Sequence, residues 1–165
     1  MVLLEKGSCG QAVLGRLEPS DGDRIGKFFY TLSPETVYRR FLSPVARPDI
    51  MKRSLLDGDR GRQQAVVAVV DGDIVGVANY ARHKRSAELA DLAVVVTDVW
   101  QRHGIGTRLL GALADAATRA GIERFSVVML PDNEAAKRLL RRLAPGLRLH
   151  FDGGVLEGTV PLKAA

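Results

Sequence analysis

Two carboxylates, Glu88 and Asp91, stand just ahead of an apolar run at residues 93–96. A carboxylate beside an amine can accept its proton, directly or through a water, and so act as a general base. The two lie three positions apart, so a regular strand directs them to opposite faces, whereas a bulge can bring them together. His83, in the basic segment 82–85, is a further candidate base, although a loop histidine is more often only solvated. The alternative for both carboxylates is a surface charge that pairs with a nearby arginine.

A second candidate site follows the apolar run, at residues 101–106, which read Gln-Arg-His-Gly-Ile-Gly. The first amides of a helix have no intrahelical partner and lie at the positive end of the helix dipole. Gly104 and Gly106 let a phosphate approach such amides closely, and Arg102 and Arg108 add positive charge. The segment therefore predicts an anion site, although an ordinary strand-to-helix turn that needs positive φ explains the two glycines equally well.

Two familiar phosphate motifs do not fit this segment. A dinucleotide fingerprint requires a third glycine three residues after Gly106, but Leu109 stands there. A P-loop requires Gly-Lys-Ser or Gly-Lys-Thr, which the sequence lacks. The anion, if bound, is held in a different way.

These candidate sites need a strand before the glycine turn and a helix after it. The apolar, β-branched residues 93–96 predict a buried strand. Ile105, Leu109 and Leu113 recur at helical spacing with charged residues between them, which predicts an amphipathic helix that starts at the turn.

The remaining elements predict the fold class. Strands are expected at residues 12–17, 64–70, 74–80, 86–96, 125–130, 147–151 and 155–160, and an Asp-Gly turn joins the second and third of them. Further helices are expected at 23–30, 34–41, 49–56 and 134–143. The last helix directs Lys137, Arg138, Arg141 and Arg142 outward, toward a phosphate or toward water. This order favours an α/β (α+β) fold with a mixed, mostly antiparallel sheet and helices on both faces.

The helical region before the hairpin carries four residues that a substrate could meet: Tyr30, Tyr38, Arg39 and Arg40. Core aromatics and a solvated charge pair are the simpler interpretation, and we adopt it as the expectation.

The composition indicates one soluble globular domain, residues 1–165, with 46% hydrophobic and 26% charged residues. No run is long and apolar enough for a membrane span or a secretory signal, which points to the cytoplasm. Cys9 is the single cysteine, so an intrachain disulfide or a cysteine-built metal site is excluded and an incidental thiol is expected. The net charge of +5 favours anionic partners or serves solubility alone, and the absence of a base-reading motif disfavours nucleic acid.

Residues 101–106 resemble the Q/R-x-x-G-x-G/A signature of the GNAT superfamily of acyl-CoA-dependent N-acetyltransferases. The element order is similar over residues 13–160, so the resemblance implies the GNAT three-layer fold. Segments 32–41, 90–96 and 132–139 are similar to the bacterial Pat-type protein lysine acetyltransferases.

The resemblance implies roles for specific residues. Acetyl-CoA would place its pyrophosphate on Gln101, Arg102, His103, Gly104, Ile105, Gly106, Thr107 and Arg108, and its pantetheine arm along Val94, Val95 and Val96. Asn133 would contact that arm or cap its helix. Asp91 takes the place of a catalytic glutamate, with an arm shorter by one methylene, so it is the first choice of base and Glu88 the second. At the position of Leu140, many GNAT enzymes carry a tyrosine that acts as general acid. Pat-type members tend to lack this tyrosine.

The expected function is transfer of an acetyl group from acetyl-CoA to a primary amine, a protein lysine by the Pat-type resemblance, without a metal. A catalytically silent acyl-CoA-binding module and an acetyltransferase for a small-molecule amine are the alternatives. No membrane or nucleic-acid partner is expected.

Overall fold

Eight strands and five helices follow one another in the computed structural model, which describes residues 1–3, 11–44, 46–59 and 61–162. The strands are β1 (Val2–Leu3), β2 (Val13–Arg16), β3 (Gln63–Val70), β4 (Asp73–Arg82), β5 (Leu89–Val96), β6 (Arg124–Met129), β7 (Leu149–Asp152) and β8 (Val155–Pro161). The helices are α1 (Gly22–Tyr30), α2 (Pro34–Phe41), α3 (Pro48–Leu56), α4 (Ile105–Arg119) and α5 (Glu134–Leu143). Short 3₁₀ turns lie at Pro19–Asp21 and Asp98–Trp100. Cys9 lies outside the described residues.

The strands form one sheet in the order β1-β2-β3-β4-β5-β6-β8-β7. Neighbouring strands run antiparallel, except that β5 and β6 pair in parallel. Parallel neighbours need a long crossover connection, and α4 provides it. The expected mixed, mostly antiparallel sheet is confirmed.

Helices cover both faces of the sheet, as expected. On one face, Ile25 of α1 and Met51 of α3 pack in one cluster with Val77 of β4. On the other face, Leu109 of α4 packs in a second cluster with Phe125 of β6. Burying a side chain of this size contributes roughly 1.5–3 kcal/mol, so the two clusters together fix the helices that carry the candidate sites.

Short-range sequence signals set the turns and helix starts. Asp71 and Gly72 have φ of 48° and 88°, the left-handed pair that a two-residue hairpin between β3 and β4 requires. The Ser33 hydroxyl accepts a hydrogen bond from the Thr36 amide at 3.2 Å and caps α2. Both features were expected from the sequence.

Some expectations were wrong. Tyr30 and Tyr38 are not core aromatics: their residues are 78% and 42% exposed. The strand expected at 86–96 begins only at Leu89, and the one expected at 147–151 begins at Leu149.

None of the helices in the described part of the chain is long and apolar enough to cross a membrane.

Candidate active site

The parallel strands β5 and β6 separate in the middle of the sheet and leave a cleft between them. Their pairing ends at Asp91 and Ser126, although β5 continues to Val96 and β6 to Met129. The cleft has a volume of about 650 Å³, within the range of roughly 300–1,000 Å³ that small-molecule sites occupy. Val94, Val95 and Val96 line it, as expected for a strand edge that receives a ligand. Strand edges that lose their neighbour present backbone amides and carbonyls to whatever fills the gap.

The N-terminus of α4 opens into the same cleft. Gly104 precedes the helix with φ of 78°, and no side chain among the described residues caps this end. The amides of Ile105, Gly106 and Thr107 occupy the first turn, where a helix has no internal acceptors for them. The other two helices on the cleft differ, since side chains of Ser33 and Asn133 cap α2 and α5. The cleft therefore contains an uncapped, positive helix end, which suits an anion.

The turn before α4 is fastened to β5 and α2 by hydrogen bonds. The Gln101 side-chain amide donates to the Val96 carbonyl at 3.1 Å and to the Thr36 hydroxyl at 3.4 Å. Asp98 accepts from the Ser33 amide at 3.0 Å and from the hydroxyls of Ser33 and Thr36 at 2.8 and 2.9 Å. Burial alone raises the pKa of Asp98, but these hydrogen bonds outweigh it and leave the pKa below its usual value. Gln101 thus positions the turn and also lines the cleft.

The expected phosphate-binding residues divide into two groups. Those that line the cleft are Gln101, Arg102, Gly104, Gly106 and Thr107. His103 instead lies 2.8 Å from the Gln101 carbonyl through Nδ1 and packs edge-on against Trp100. Ile105 is 3% exposed and packs in the core, so only its backbone faces a ligand. The Arg108 guanidinium donates to the Ala12 carbonyl at 2.7 Å and thereby ties α4 to the segment before β2.

Four arginines outside the predicted phosphate-binding turn also line the cleft. Arg138 and Arg142 of α5 line the cleft. The sequence predicted that they point outward, either toward a phosphate or toward water. Their spacing of four on an otherwise amphipathic helix was the available signal. Arg39 and Arg40 of α2 also line it. All four side chains can attract a ligand that carries several negative charges.

Arg40 is not a solvated charge, contrary to expectation. Its guanidinium donates to the Asn79 side-chain oxygen at 3.1 Å and stacks 4.9 Å from the Phe41 ring centre. Burial lowers the pKa of Arg40 to about 10, which still leaves it a cation at neutral pH. Arg39 pairs with Glu35 at 2.7 Å and with Asp132 at 3.6 Å, so α2 is linked across the cleft to the start of α5.

Asn133, which directly precedes α5, and Leu140 of α5 both line the cleft. The Asn133 side-chain oxygen accepts from the Ala136 amide at 3.1 Å, so the expected capping role is confirmed. Leu140 is 5% exposed and packs in the core on the α4 side of the sheet. An apolar side chain there supplies no proton to a leaving group.

Asp91 of β5 belongs to a cluster of three polar side chains with Ser126 of β6 and His83, which directly follows β4. Its Oδ1 lies 2.7 Å from Nε2 of His83, and the Ser126 hydroxyl donates to the same oxygen. The Asp91 side chain is 66% exposed, at the point where β5 and β6 part. The structure thus brings together two of the candidate bases.

Glu88 is not on β5, because it belongs to the turn that leads into this strand. Its backbone carbonyl accepts from the amides of Glu123 and Arg124 at 2.8 and 3.1 Å. The strand expected at 86–96 would have carried both carboxylates, on opposite faces or brought together by a bulge, but only Asp91 is on the strand. Within the described ranges, no group of three or more histidine, cysteine or acidic side chains is arranged to hold a metal ion.

Comparisons with known proteins agree with this geometry. Residues 30–144 match the model of the acetyltransferase (GNAT) family. The acetyltransferase Pat of Mycolicibacterium smegmatis is 32% identical over 127 residues, which cover 76% of this chain and 38% of that protein. The chain thus spans well under half of this curated relative.

Solved structures show the same fold. The GNAT domain of Streptomyces lividans PAT superposes with a TM-score of 0.81 and 24% identity, over 98% of this chain and 95% of that one. YncA of Salmonella typhimurium, solved with its cofactor acetyl-CoA, superposes with a TM-score of 0.69 and 18% identity, over 93% and 95%. The resemblance noted in the sequence is confirmed, and this chain belongs to the GNAT family of acetyltransferases.

Proposed function

We propose that this acyl-CoA N-acyltransferase moves the acetyl group of acetyl-CoA to the side-chain amine of a protein lysine, in the cytoplasm, with Asp91 as the carboxylate of its base. The observation that carries the proposal is the uncapped N-terminus of α4 in a cleft formed by diverging parallel strands. A phosphate-bearing thioester suits both halves of this cleft, because it joins an anion to an extended amide-containing arm.

The cofactor is proposed to lie with its pyrophosphate on the amides at the start of α4 and its pantetheine arm along the free edge of β5. The first-turn amides and the helix dipole stabilise the negative charge. Arg102, Arg138 and Arg142, which line the cleft, add cations within reach of the phosphates. Backbone groups of Val94, Val95 and Val96 are available to the amides of the arm and to the thioester oxygen as it gains charge.

The reaction needs a base to deprotonate the lysine, but it does not need an acid to protonate the leaving thiolate. A lysine ammonium with a pKa of about 10.4 holds its proton by about 4.6 kcal/mol at pH 7. Once neutral, the amine attacks the thioester carbonyl carbon, and the carbon–sulfur bond breaks to release the thiolate of CoA. A thiolate whose thiol has a pKa of about 8.5 leaves without a proton donor. A buried leucine at position 140 is consistent with such a mechanism.

The protein-lysine acceptor rests on the Pat-type resemblance of segments 32–41, 90–96 and 132–139. The similarity to the acetyltransferase Pat agrees with that resemblance. The open surroundings of Asp91 support this acceptor, since a protein surface needs access that an enclosed pocket denies. A small-molecule amine uses the same base, so the acceptor is the part of the proposal that an assay must decide.

The experiment measures thiol release from acetyl-CoA with poly-L-lysine, lysine-bearing peptides and small amines, alongside calorimetry with acetyl-CoA. We expect Asp91→Asn to lower kcat by about 10²–10⁴-fold at neutral pH, the usual worth of a general base. Its affinity for acetyl-CoA should stay unchanged, because Asp91 is not among the residues that line the cleft proposed to hold the cofactor.

Glu88→Gln is the matched control, because it removes a neighbouring carboxylate that lies before the strand. It should behave like the wild type. If Glu88→Gln lost activity while Asp91→Asn stayed active, the assignment of the base to Asp91 would be wrong. Binding of acetyl-CoA without thiol release from any amine would favour a silent acyl-CoA-binding module.

A further inference from the structure

We propose that the proton leaving the acceptor amine is held by His83, while Asp91 orients the imidazole and Ser126 fixes Asp91. The inference rests on the proposed function and deepens it, since it assigns the proton within the base. It starts from the cluster at the point where β5 and β6 separate, in which His83 Nε2 lies 2.7 Å from Asp91 Oδ1 and the Ser126 hydroxyl donates to the same oxygen.

Two members of the cluster lie on paired strands, and the third directly follows the neighbouring strand. Asp91 pairs with Ser126 in the parallel register of β5 and β6, so their side chains share one face of the sheet. His83 directly follows β4, and its amide donates to the Leu89 carbonyl at 2.9 Å, at the start of β5. Its carbonyl accepts from Arg62 at 3.0 Å. Backbone contacts on both sides therefore set the position of the ring.

The hydrogen bond to Asp91 selects the tautomer of the neutral imidazole. An ionised carboxylate only accepts hydrogen bonds, so the ring nitrogen that faces it must carry a proton. With Nε2 protonated toward Asp91, the lone pair of the neutral ring is on Nδ1. A carboxylate that holds one imidazole nitrogen so that the other serves as base is the logic of the serine protease triad, with the two nitrogens exchanged.

An imidazole is the better proton acceptor of the two groups. In model peptides the carboxylate of aspartate has a pKa of about 3.9 and imidazole about 6.5, so a proton from an amine is held about 400-fold more favourably by imidazole. One N–H bond of the ammonium breaks and an Nδ1–H bond forms, directly or through one water. The amine nitrogen then attacks the thioester carbonyl, and the thiolate that leaves can take the second amine proton. Asp91 stabilises the imidazolium that results.

The surroundings of His83 allow the proton to escape to water. His83 lines an open basin of about 490 Å³, separate from the cleft between β5 and β6, whose other charged residues are Asp59, Arg62, Arg82, Lys84 and Arg85. On β6, Arg124 lies two residues before Ser126 and so on the same face of the sheet. The cations among these residues oppose a positive charge on the ring, whereas Asp91 and Asp59 favour it. The imidazolium can release its proton to water in the open basin.

The decisive variant is His83→Gln, because its side-chain amide can still donate to Asp91 but cannot hold a proton. We expect kcat with acetyl-CoA and poly-L-lysine to fall by about 10²–10⁴-fold, as in His83→Ala, with unchanged calorimetric affinity for acetyl-CoA. This loss of kcat should shrink as the pH approaches the pKa of the acceptor amine, because an amine that is already neutral needs no base. The acid limb of the wild-type pH–rate profile, which reports loss of the neutral base on protonation, should disappear.

His150→Gln is the matched control, because His150 on β7 also faces a carboxylate, Glu157, at 3.6 Å but lies at the far edge of the sheet. It should leave the rate and the pH profile unchanged. Ser126→Ala should lower kcat about 3- to 10-fold, the worth of one hydrogen bond, and Ser126→Thr should restore it. A His83→Gln enzyme with wild-type rate and wild-type pH profile would overturn the inference and leave the proton on Asp91.

A measurement without turnover separates this inference from the proposed function. Nitrogen-15 spectra of the wild type should show the neutral His83 ring protonated at Nε2, and Asp91→Asn should shift that tautomer balance. If the wild type releases no thiol with any amine, the proposed function fails. If it turns over normally but the His83 ring is protonated at Nδ1, only the present inference fails.

Discussion

The substitution Gly106→Asp tests whether the start of α4 holds the phosphates of the cofactor. Gly106 is the second residue of α4 and lines the cleft. A Cβ at this position meets only Leu139, at 3.4 and 3.7 Å, which is ordinary van der Waals contact. An aspartate in the first turn also interacts favourably with the helix dipole, by about 0.3–1 kcal/mol. The fold should therefore survive, with an unfolding temperature equal to or above that of the wild type.

The effect on binding follows from charge. Two unit negative charges about 4 Å apart repel by about 4 kcal/mol at an effective dielectric constant of about 20. A penalty of that size weakens binding by about a thousandfold, since about 1.4 kcal/mol corresponds to a factor of ten. The carboxylate also competes with the phosphate for the first-turn amides.

The assay is calorimetric titration with acetyl-CoA at two salt concentrations, with Gly106→Asn as the matched control. Asparagine has the same shape without the charge, so the difference between the two variants isolates electrostatics. We expect Gly106→Asn to bind more weakly than the wild type and Gly106→Asp to bind far more weakly still, with a gap that narrows as salt rises. Equal affinities in two folded variants would refute the placement of the phosphates at α4.

Two further predictions concern stability. Leu140→Ala should lower the free energy of unfolding by about 2–5 kcal/mol in a denaturant titration, because it empties part of the core, and should spare the chemical step; a stable variant with abolished chemistry would contradict the assignment of Leu140 to the core. Hydrogen bonds hold the pKa of Asp98 below its usual value, so its stabilising effect is present above the unfolded pKa of about 3.9 and is lost as the pH falls through the folded pKa. Asp98→Asn should therefore cost about 0.5–1.5 kcal/mol at pH 7 and progressively less below about pH 4, whereas a constant difference across that range would mean that the carboxylate charge is not involved.

Much of the fold could be predicted because local signals in the sequence agree with the tertiary structure. Alternating and β-branched apolar runs, the Asp71-Gly72 turn and the Ser33 cap each have a short-range physical cause. The helix after the glycine turn starts at Ile105, where its apolar spacing begins. The boundaries that were missed, such as the start of β5 at Leu89, depend on pairing with a strand distant in sequence.

The candidate site was only partly readable from sequence. The glycine turn could be located because an uncapped helix start needs residues without bulky side chains and gives a contiguous pattern. The sequence could not decide whether Arg138 and Arg142 meet a phosphate or only water. An outward arginine on a helix gives the same sequence pattern whether or not a cleft faces it. Arg108 looked equivalent to its neighbours, yet the fold directs it to the Ala12 carbonyl.

The sequence by itself determined the elements, their order, the glycine turn proposed to bind an anion and a small set of candidate bases, because each is encoded within a few residues. Only the tertiary structure decided which polar groups meet. His83 and Ser126 stand 8 and 35 residues from Asp91, and no periodicity links such positions. They converge because β4 and β6 lie on either side of β5 in the sheet. The cleft likewise exists because β5 and β6 stop pairing after Asp91, a property of how the two halves of the sheet pack and not of any one segment.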